Sequence, residues 1–278
     1  MNEKQMEFFI RMFGLDGRVA IVTGGNGRLG TEFVRALSDA GARVAVFDIS
    51  EANETLKDLA KIKPITFHNV DITDESAVST AFVAVRDQWG VPNILVNNAG
   101  WKASPNTQGN GGVPFEKYPI DTWEDVFRIN TTAAAICSKV CGAMLIEAKV
   151  PGVIVNIASV YATIAPDQRI YDYRHERGLP TFVKDASYGV SKAALVALTR
   201  DLAVQWAPHN IRVVAISPGG VQHDGSDDEF VKRYASRVPL GRMARTEDLC
   251  GALVFLASGA SSYVTGTNLL IDGGMSCW

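Results

Sequence analysis

The chain has 278 residues, 47% of them hydrophobic and 21% charged, a globular composition that excludes a disordered chain. Its formal charge of −3 supplies no basic field for nucleic acid or for an acidic membrane surface. No apolar run approaches the ~20 residues that cross a bilayer, and the four cysteines (Cys137, Cys141, Cys250, Cys277) form neither a CxxC pair nor a disulfide framework, so a cytoplasmic protein with a small-molecule partner is expected.

The opening residues, MNEKQMEFFIRMF, mix charges into a short apolar stripe and lack the core and cleavage site of a signal peptide. They read as an extension, 1–14, packed on the domain surface. From residue 18 short apolar runs alternate with helical patterns. The runs are Val19 to Val22, Val44 to Phe47, Ile65 to Val70, Ile94 to Val96, Val153 to Ile157, Ile211 to Ile216 and Leu269 to Ile271. They are rich in β-branched residues and read as strands buried on both faces of a parallel sheet. Leu29, Phe33, Val34 and Leu37 recur at helical spacing after the first run. Longer helices are expected from about Thr122 to Lys149 and from about Ala186 to Ala207, the second ending before Pro208. Within the first of these helices Cys137 and Cys141 share a face and read as small buried residues. The alternation predicts an α/β fold: a single doubly wound, mainly parallel seven-stranded sheet with helices on both faces, one domain over 1–278. Two stretches break it, 101–118 and 162–186, both rich in loop formers or charges. Both leave strand carboxyl ends, where the ligand crevice of such a sheet lies.

The first strand runs into Thr23-Gly24-Gly25-Asn26-Gly27-Arg28-Leu29-Gly30. Gly25, Gly27 and Gly30 make a GxGxxG between a predicted strand and a predicted helix, which lets backbone N–H groups approach a pyrophosphate at the helix end. Alone the motif is weak. Asp48 strengthens it, closing the second strand at the position of a carboxylate that binds the adenosine ribose hydroxyls of a Rossmann-type site. The same charge would repel the 2′-phosphate of NADP, so NAD is expected ahead of NADP, with Arg28 as the dissenting cation.

Tyr188 and Lys192 stand four apart on the predicted helix and share a face. A phenol with its ordinary pKa of ~10 is a poor base at neutral pH, and an adjacent ammonium stabilises the phenolate. Ser159, at the end of the fifth strand, is available to hydrogen-bond a substrate oxygen. Each signal has a bland counterpart, an incidental surface pair and a turn-forming serine; their order along the chain favours the catalytic reading.

Together these residues resemble the short-chain dehydrogenase/reductase family over about 15–274, in its shorter branch. Asn97-Asn98-Ala99-Gly100 resembles the family's NNAG motif and Asp71-Ile72 its adenine contact. Asn130, Ser159, Tyr188 and Lys192 resemble its catalytic tetrad, in which the asparagine helps hold a proton-relay water. Pro218-Gly219-Gly220-Val221 resembles the segment facing the nicotinamide, and Ile271-Asp272-Gly273-Gly274 the usual chain end. The resemblance implies cofactor contacts from Gly24, Asn26, Gly27, Arg28, Leu29, Gly30, Asp48, Ile49, Asp71, Ile72, Asn98, Ala99, Gly100, Tyr188, Lys192, Pro218, Gly219 and Val221, and no metal. It also implies a homo-oligomer, tetramer or dimer, pairing the helices of Asn130 and Tyr188.

Three features depart from the family pattern. The spacing Gly24-x-x-Gly27-x-x-Gly30 is that of the longer, sugar-nucleotide-modifying branch, with Arg28 where the shorter branch has glycine. His223 replaces a threonine that contacts the cofactor. Ser159 and Tyr188 lie 29 apart, wider than usual, so the excess must loop out. That insertion carries Arg169, Arg174, His175, Arg177 and Lys184 among aromatics, nearly balanced by Asp167, Asp172, Glu176 and Asp185. With Lys102 on the other loop and Tyr161 beside Ser159, they suggest a polar, sugar-like or anionic substrate. The expected activity is an NAD-dependent interconversion of a secondary alcohol and a ketone or lactone. The alternatives are a sugar-nucleotide epimerase or dehydratase with tightly bound NAD, and a non-catalytic NAD-binding protein.

Overall fold

The structure, a computed structural model, describes residues 2–101 and 112–278. Seven strands form one sheet: β1 (Val19–Thr23), β2 (Arg43–Asp48), β3 (Ile65–Asn69), β4 (Ile94–Asn97), β5 (Gly152–Ile157), β6 (Ile211–Pro218) and β7 (Asn268–Ile271). Their order is β3-β2-β1-β4-β5-β6-β7, and every neighbouring pair is parallel. The order reverses between β1 and β4, which opens a crevice at their carboxyl ends.

Side chains alternate across the strands, so each strand feeds two cores. Val22, Val46, Val96, Val155 and Ile216 pack under α2 (Arg28–Asp39), α3 (Glu54–Ala60) and a helix near the chain end, Glu247–Ala257. Ile21, Phe47, Leu95, Ile154 and Val213 pack on the other face under α4 (Glu75–Trp89) and the helices that follow β4 and β5. The central strands β1, β4 and β5 are buried at every position because both faces are covered, and only Thr23, Asn97 and Asn156 in them are polar. The edges differ from the sequence expectation. In β3 only Ile65 is buried, and β7 has no fully buried residue, because an edge strand needs one covered face at most.

The helix expected over 122–149 is broken into three parts. α5 (Ile120–Phe127) passes through a π-helical turn, Arg128–Thr132, into α6 (Ala133–Ala148). By length and composition the stretch 120–148 is apolar enough to cross a membrane, which corrects the expectation that no segment approaches that length; it lies on the sheet, with Ala133, Cys137, Cys141 and Leu145 in the core. Burial pushes the Cys137 thiol up to about 12, and that of Cys141 higher.

The β5–α8 connection, expected as loop, is built. It holds the short helix α7 (Tyr173–Glu176) and buries Ile170, Tyr173 and Phe182 before α8 (Ala186–Trp206) begins. It packs on α9 (Asp228–Ala235), stacking Tyr171 on Phe230 at 5.7 Å; the late helix 247–257 is α10. The N-terminal segment is α1 (Glu3–Phe13), closed by a capping box between Asn2 and Gln5, and none of its residues is buried. It touches the Gly259–Ser261 turn while Met6, Phe8, Phe9 and Ile10 stay about half exposed, so the expected surface packing is slight.

Candidate active site

The carboxyl ends of β1, β2, β4, β5 and β6 bring the chemistry-bearing residues together. At β1 the chain turns through Gly24, whose φ is +61° and where a Cβ would stand 2.8 Å from the Ala99 Cα. A Cβ on Gly30 would strike the Gly24 carbonyl oxygen. Both positions must be glycine for α2 to start beneath the loop and for the loop to close on the β4 segment. Gly27, common to both spacings read from the sequence, caps α2, where a Cβ would stand 3.2 Å from the Gly24 carbonyl oxygen, tight but short of a clash. No side chain caps α2, so the N–H groups of Arg28, Leu29 and Gly30 have no intrahelical acceptor, the arrangement that receives a phosphate.

Asp48 ends β2 beside this loop. Its carboxylate accepts from the Asn26 N–H at 3.0 Å and from the Ser50 N–H and hydroxyl at 3.0 and 2.8 Å, so it is fixed in place and still has lone pairs for a diol. Ile49 is 72% exposed as an apolar flank. Asp71 turns its carboxylate onto the N–H and hydroxyl of Thr73, which hold it below the usual carboxylate range, and Ile72 is buried with Val70 and Val78 in the α4-side core. The glycine cradle, the uncapped helix end and the fixed carboxylate fit the pyrophosphate and adenosine ribose of a dinucleotide.

Asn98, after β4, ties the cradle to the sheet, donating from Nδ2 to the carbonyls of Thr23 and Gly24 at 3.0 and 2.9 Å. The Thr23 hydroxyl accepts from the N–H groups of both Asn98 and Ala99 at 3.1 Å. Behind them, buried Asn97 donates to Asn156 at 2.8 Å, and Asn156 to Thr199 on α8 at 2.9 Å. A buried chain of amides costs stability where it is not satisfied; this one ties β4, β5 and α8 together but leaves the Asn97 Oδ1 without a hydrogen-bond partner among the described residues.

Asn130 lies in the π-turn, fully buried. Its Oδ1 accepts from the Trp101 N–H at 2.6 Å, and its Nδ2 donates to the Trp101 carbonyl and the Ser191 hydroxyl, each at 3.0 Å. The turn widens the helix by one residue and aims this amide between the NNAG segment and α8. Gly100 leaves the intervening space open: a Cβ there would meet the Lys192 Nζ at 3.2 Å and the Asn130 Oδ1 at 3.3 Å.

Lys192, on α8, donates to the Ile157 carbonyl at 2.8 Å, and burial pulls its ammonium down to about 8. Tyr188, one turn earlier, has its ring centroid 6.0 Å from that ammonium. Burial raises its phenol, a hydrogen bond with Ser159 pulls it back, and Asp185 raises it again. Ser159 is itself held by the Tyr161 N–H at 3.2 Å.

β6 ends at Pro218. The Gly219 N–H is bonded to the Ile271 carbonyl at 2.9 Å, and the Gly220 N–H to the Tyr234 hydroxyl at 2.6 Å. Arg28 reaches across from α2 to the Val221 carbonyl at 3.4 Å. Tyr161 lies half-buried beside Tyr171 and Tyr234; burial first, and then those neighbours, push its phenol well above the ordinary range. His223 is exposed and bonds locally, to Ser226 and the Asp224 carbonyl.

The insertion's arginines are occupied elsewhere. Arg169 grips Asp167 through two nitrogens at 2.8 and 2.9 Å, Arg174 donates to the Pro180 carbonyl at 3.1 Å, and Arg177 pairs with Asp227 at 3.0 Å and lies over Tyr173. They staple the insertion to itself and to α9. Lys102 lies outside the described residues. Sequence reasoning missed Thr23 and Ser191, whose roles are made with partners dozens of residues away, and Asp185, whose partners are local and which carries a sign in the sequence as an N-cap three before Tyr188.

Comparisons with known proteins bear on this site. A family model described as enoyl-(acyl carrier protein) reductase matches residues 26–276. D-arabinitol 2-dehydrogenase (ribulose-forming) of Scheffersomyces stipitis is 32% identical, with 96% of each chain covered. A short-chain dehydrogenase of Leptospira borgpetersenii solved with bound NAD+ superposes with a TM-score of 0.82 at 31% identity, covering 96% of this chain and 95% of that one. A gluconate 5-dehydrogenase of Burkholderia cenocepacia, solved with NADP and tartrate, gives 0.82 at 27% identity over 97% and 99%.

Proposed function

The chain belongs to the short-chain dehydrogenase/reductase family, and on that premise we propose that it is an NAD-dependent dehydrogenase interconverting a secondary alcohol and a ketone or lactone on a small, polar, sugar-like or anionic substrate. The supporting observation is that Tyr188, Ser159 and Lys192 meet above strand ends that also carry the glycine cradle. Relatives named for arabinitol and gluconate support the substrate class. The fixed carboxylate of Asp48 favours NAD over NADP, and Arg28, turned to Val221, leaves that preference unopposed.

In oxidation, Tyr188 takes the hydroxyl proton of the substrate. Ser159 holds the same oxygen, Lys192 stabilises the phenolate, and Asn130 fixes Trp101 and Ser191 so that the space before Lys192 stays open for a proton-relay water. Bound NAD would accept the hydride from the carbinol carbon.

We place the chain in the family's shorter branch, with 1–278 as one catalytic unit, 1–14 as an extension and 162–186 as an insertion between Ser159 and Tyr188. Val190 and Val204, 46% and 78% exposed on α8, support a homo-oligomer that pairs long helices, checked by light scattering. The four free thiols suit a reducing cytoplasm.

Purified protein is mixed with NAD, and separately NADP, and offered D-arabinitol, gluconate, a plain secondary alcohol and, in reverse, an enoyl thioester, following reduced-nicotinamide absorbance. Reduction of NAD with a polyol or sugar acid is expected. Tyr188→Phe should lower kcat by roughly 10³-fold, within the usual range for general acid–base help, and change the Kd for NAD less than about twofold. Parental turnover in that variant would remove the proton-transfer assignment.

A further inference from the structure

Lys184, last cation of the insertion, is the one built into the site. Its side chain is 8% exposed and that of the adjacent Asp185 1%, whereas Arg169 is 75% exposed. Gln168 clasps its backbone from both sides, accepting from the Lys184 N–H at 2.8 Å and donating to its carbonyl at 3.0 Å. The Lys184 Nζ lies 3.5 Å from the Asp185 Oδ2 and 4.3 Å from the centroid of the Tyr188 ring. That is closer than the Lys192 ammonium, at 6.0 Å, and well inside cation–π range.

Asp185 explains why a cation is needed. Its carboxylate caps α8, accepting from the Tyr188 N–H at 2.9 Å and from the Ser187 hydroxyl. A capping anion is good for the helix and bad for a base beside it, because its charge opposes formation of the phenolate. The cap itself needs an aspartate and no lysine.

We propose that Lys184 is a second positioning residue for proton transfer: its ammonium, over the Tyr188 ring and beside Asp185, cancels the cap's charge and adds to Lys192 in stabilising the phenolate. The proposal rests on Tyr188 being the base. Among the described residues, the groups facing Tyr188 are Ser159 and Tyr161 after β5, Lys192 on α8, Lys184 and Asp185 at the end of the insertion, and Tyr234 on α9. Among them Lys184 and Lys192 are the cations and Asp185 the carboxylate. The insertion that roofs the site thereby also tunes its base.

Two readouts test it. One is the pH profile of kcat/KM for oxidation of D-arabinitol or gluconate, whichever turns over; the other is the phenolate absorbance titration of each protein minus its Tyr188→Phe counterpart, which needs no turnover. Lys184→Met should move the acid limb and the Tyr188 titration upward by about one pH unit, near a tenfold loss of kcat/KM at pH 7. Lys184→Arg, which keeps the charge, should stay within about 0.3 units of the parent. Asp185→Asn, which keeps the cap, should move both readouts downward. That opposite displacement keeps the proposal testable if Lys184→Met does not fold, and its absence then overturns it. A Lys184→Met profile coincident with the parent overturns the proposal while loss of turnover in Tyr188→Phe leaves the base in place. Parental turnover in Tyr188→Phe overturns both.

Discussion

Between β1 and β4 the crevice is lined by backbone: the turn at Gly24, the uncapped first turn of α2, and a carboxylate pinned at the end of β2. Between β5 and β6 it is roofed by side chains of the β5–α8 connection, held by Gln168, by Tyr171 on Phe230 and by arginines on neighbouring acids. The first region is a fixed receptor whose geometry comes from local φ values and short hydrogen bonds. The second is a small accessory core whose cations are mostly spent on holding it together. A ligand shared by many enzymes suits the first, and a ligand that varies between relatives suits the second.

The largest effect expected from breaking this contrast falls on the backbone-lined side. Asp48→Asn keeps one acceptor oxygen, turns the other into an NH2 that faces a backbone N–H of Asn26 or Ser50, and removes the charge that would hold a ribose diol. NAD should bind about 10–100-fold more weakly, the equivalent of a lost charged hydrogen bond, and NADP more tightly than it binds the parent. Calorimetry with both cofactors measures this. An unchanged NAD/NADP ratio would mean that the adenosine ribose lies elsewhere.

The boundary between the regions, where α8 presents Lys192, should show itself in stability. Burial lowers this ammonium from 10.5 to about 8. Between those values the unfolded chain binds the proton and the folded chain does not, so stability rises with pH across that window; below about 8 the full cost is present. Cofactor-free Lys192→Met should therefore be more stable than the parent at pH 7, on the order of 2 kcal/mol, with the gap closing toward pH 10.5. Melting curves from pH 6 to 10 follow it. A variant less stable than the parent at pH 7 would show that Lys192 holds the fold together through its bond to Ile157.

The same contrast explains what could be read from the sequence. The central strands were legible because both faces are buried, and the cradle because Gly24 and Gly30 answer to steric demands of a single turn. Edge strand β3 was misjudged as buried on both faces, since Thr66, His68 and Asn69 depend on what covers the edge. Asn130, Ser159, Tyr188 and Lys192 could be named by resemblance, but the π-turn that aims Asn130 left no pattern in composition. The insertion was least legible. Arg169, Arg174, Arg177 and Lys184 look equivalent in a charged segment, and only packing separates three surface staples from one cation against the base.

The smallest expected effect sharpens that last distinction. Arg169 is paired to Asp167, and Arg177, lying over the Tyr173 ring, to Asp227, pairs whose exposed members are screened by water and salt. Arg169→Ala and Arg177→Ala should each leave KM for a polyol or sugar acid within about twofold and shift the melting temperature by no more than about two degrees. Initial-rate kinetics at two ionic strengths would check both. A rise in KM of tenfold or more for Arg177→Ala, with kcat unchanged, would mark uniform binding lost to the substrate. The insertion would then grip the ligand directly from its surface arginines, and the division between a ligand-holding backbone and a self-holding roof would give way.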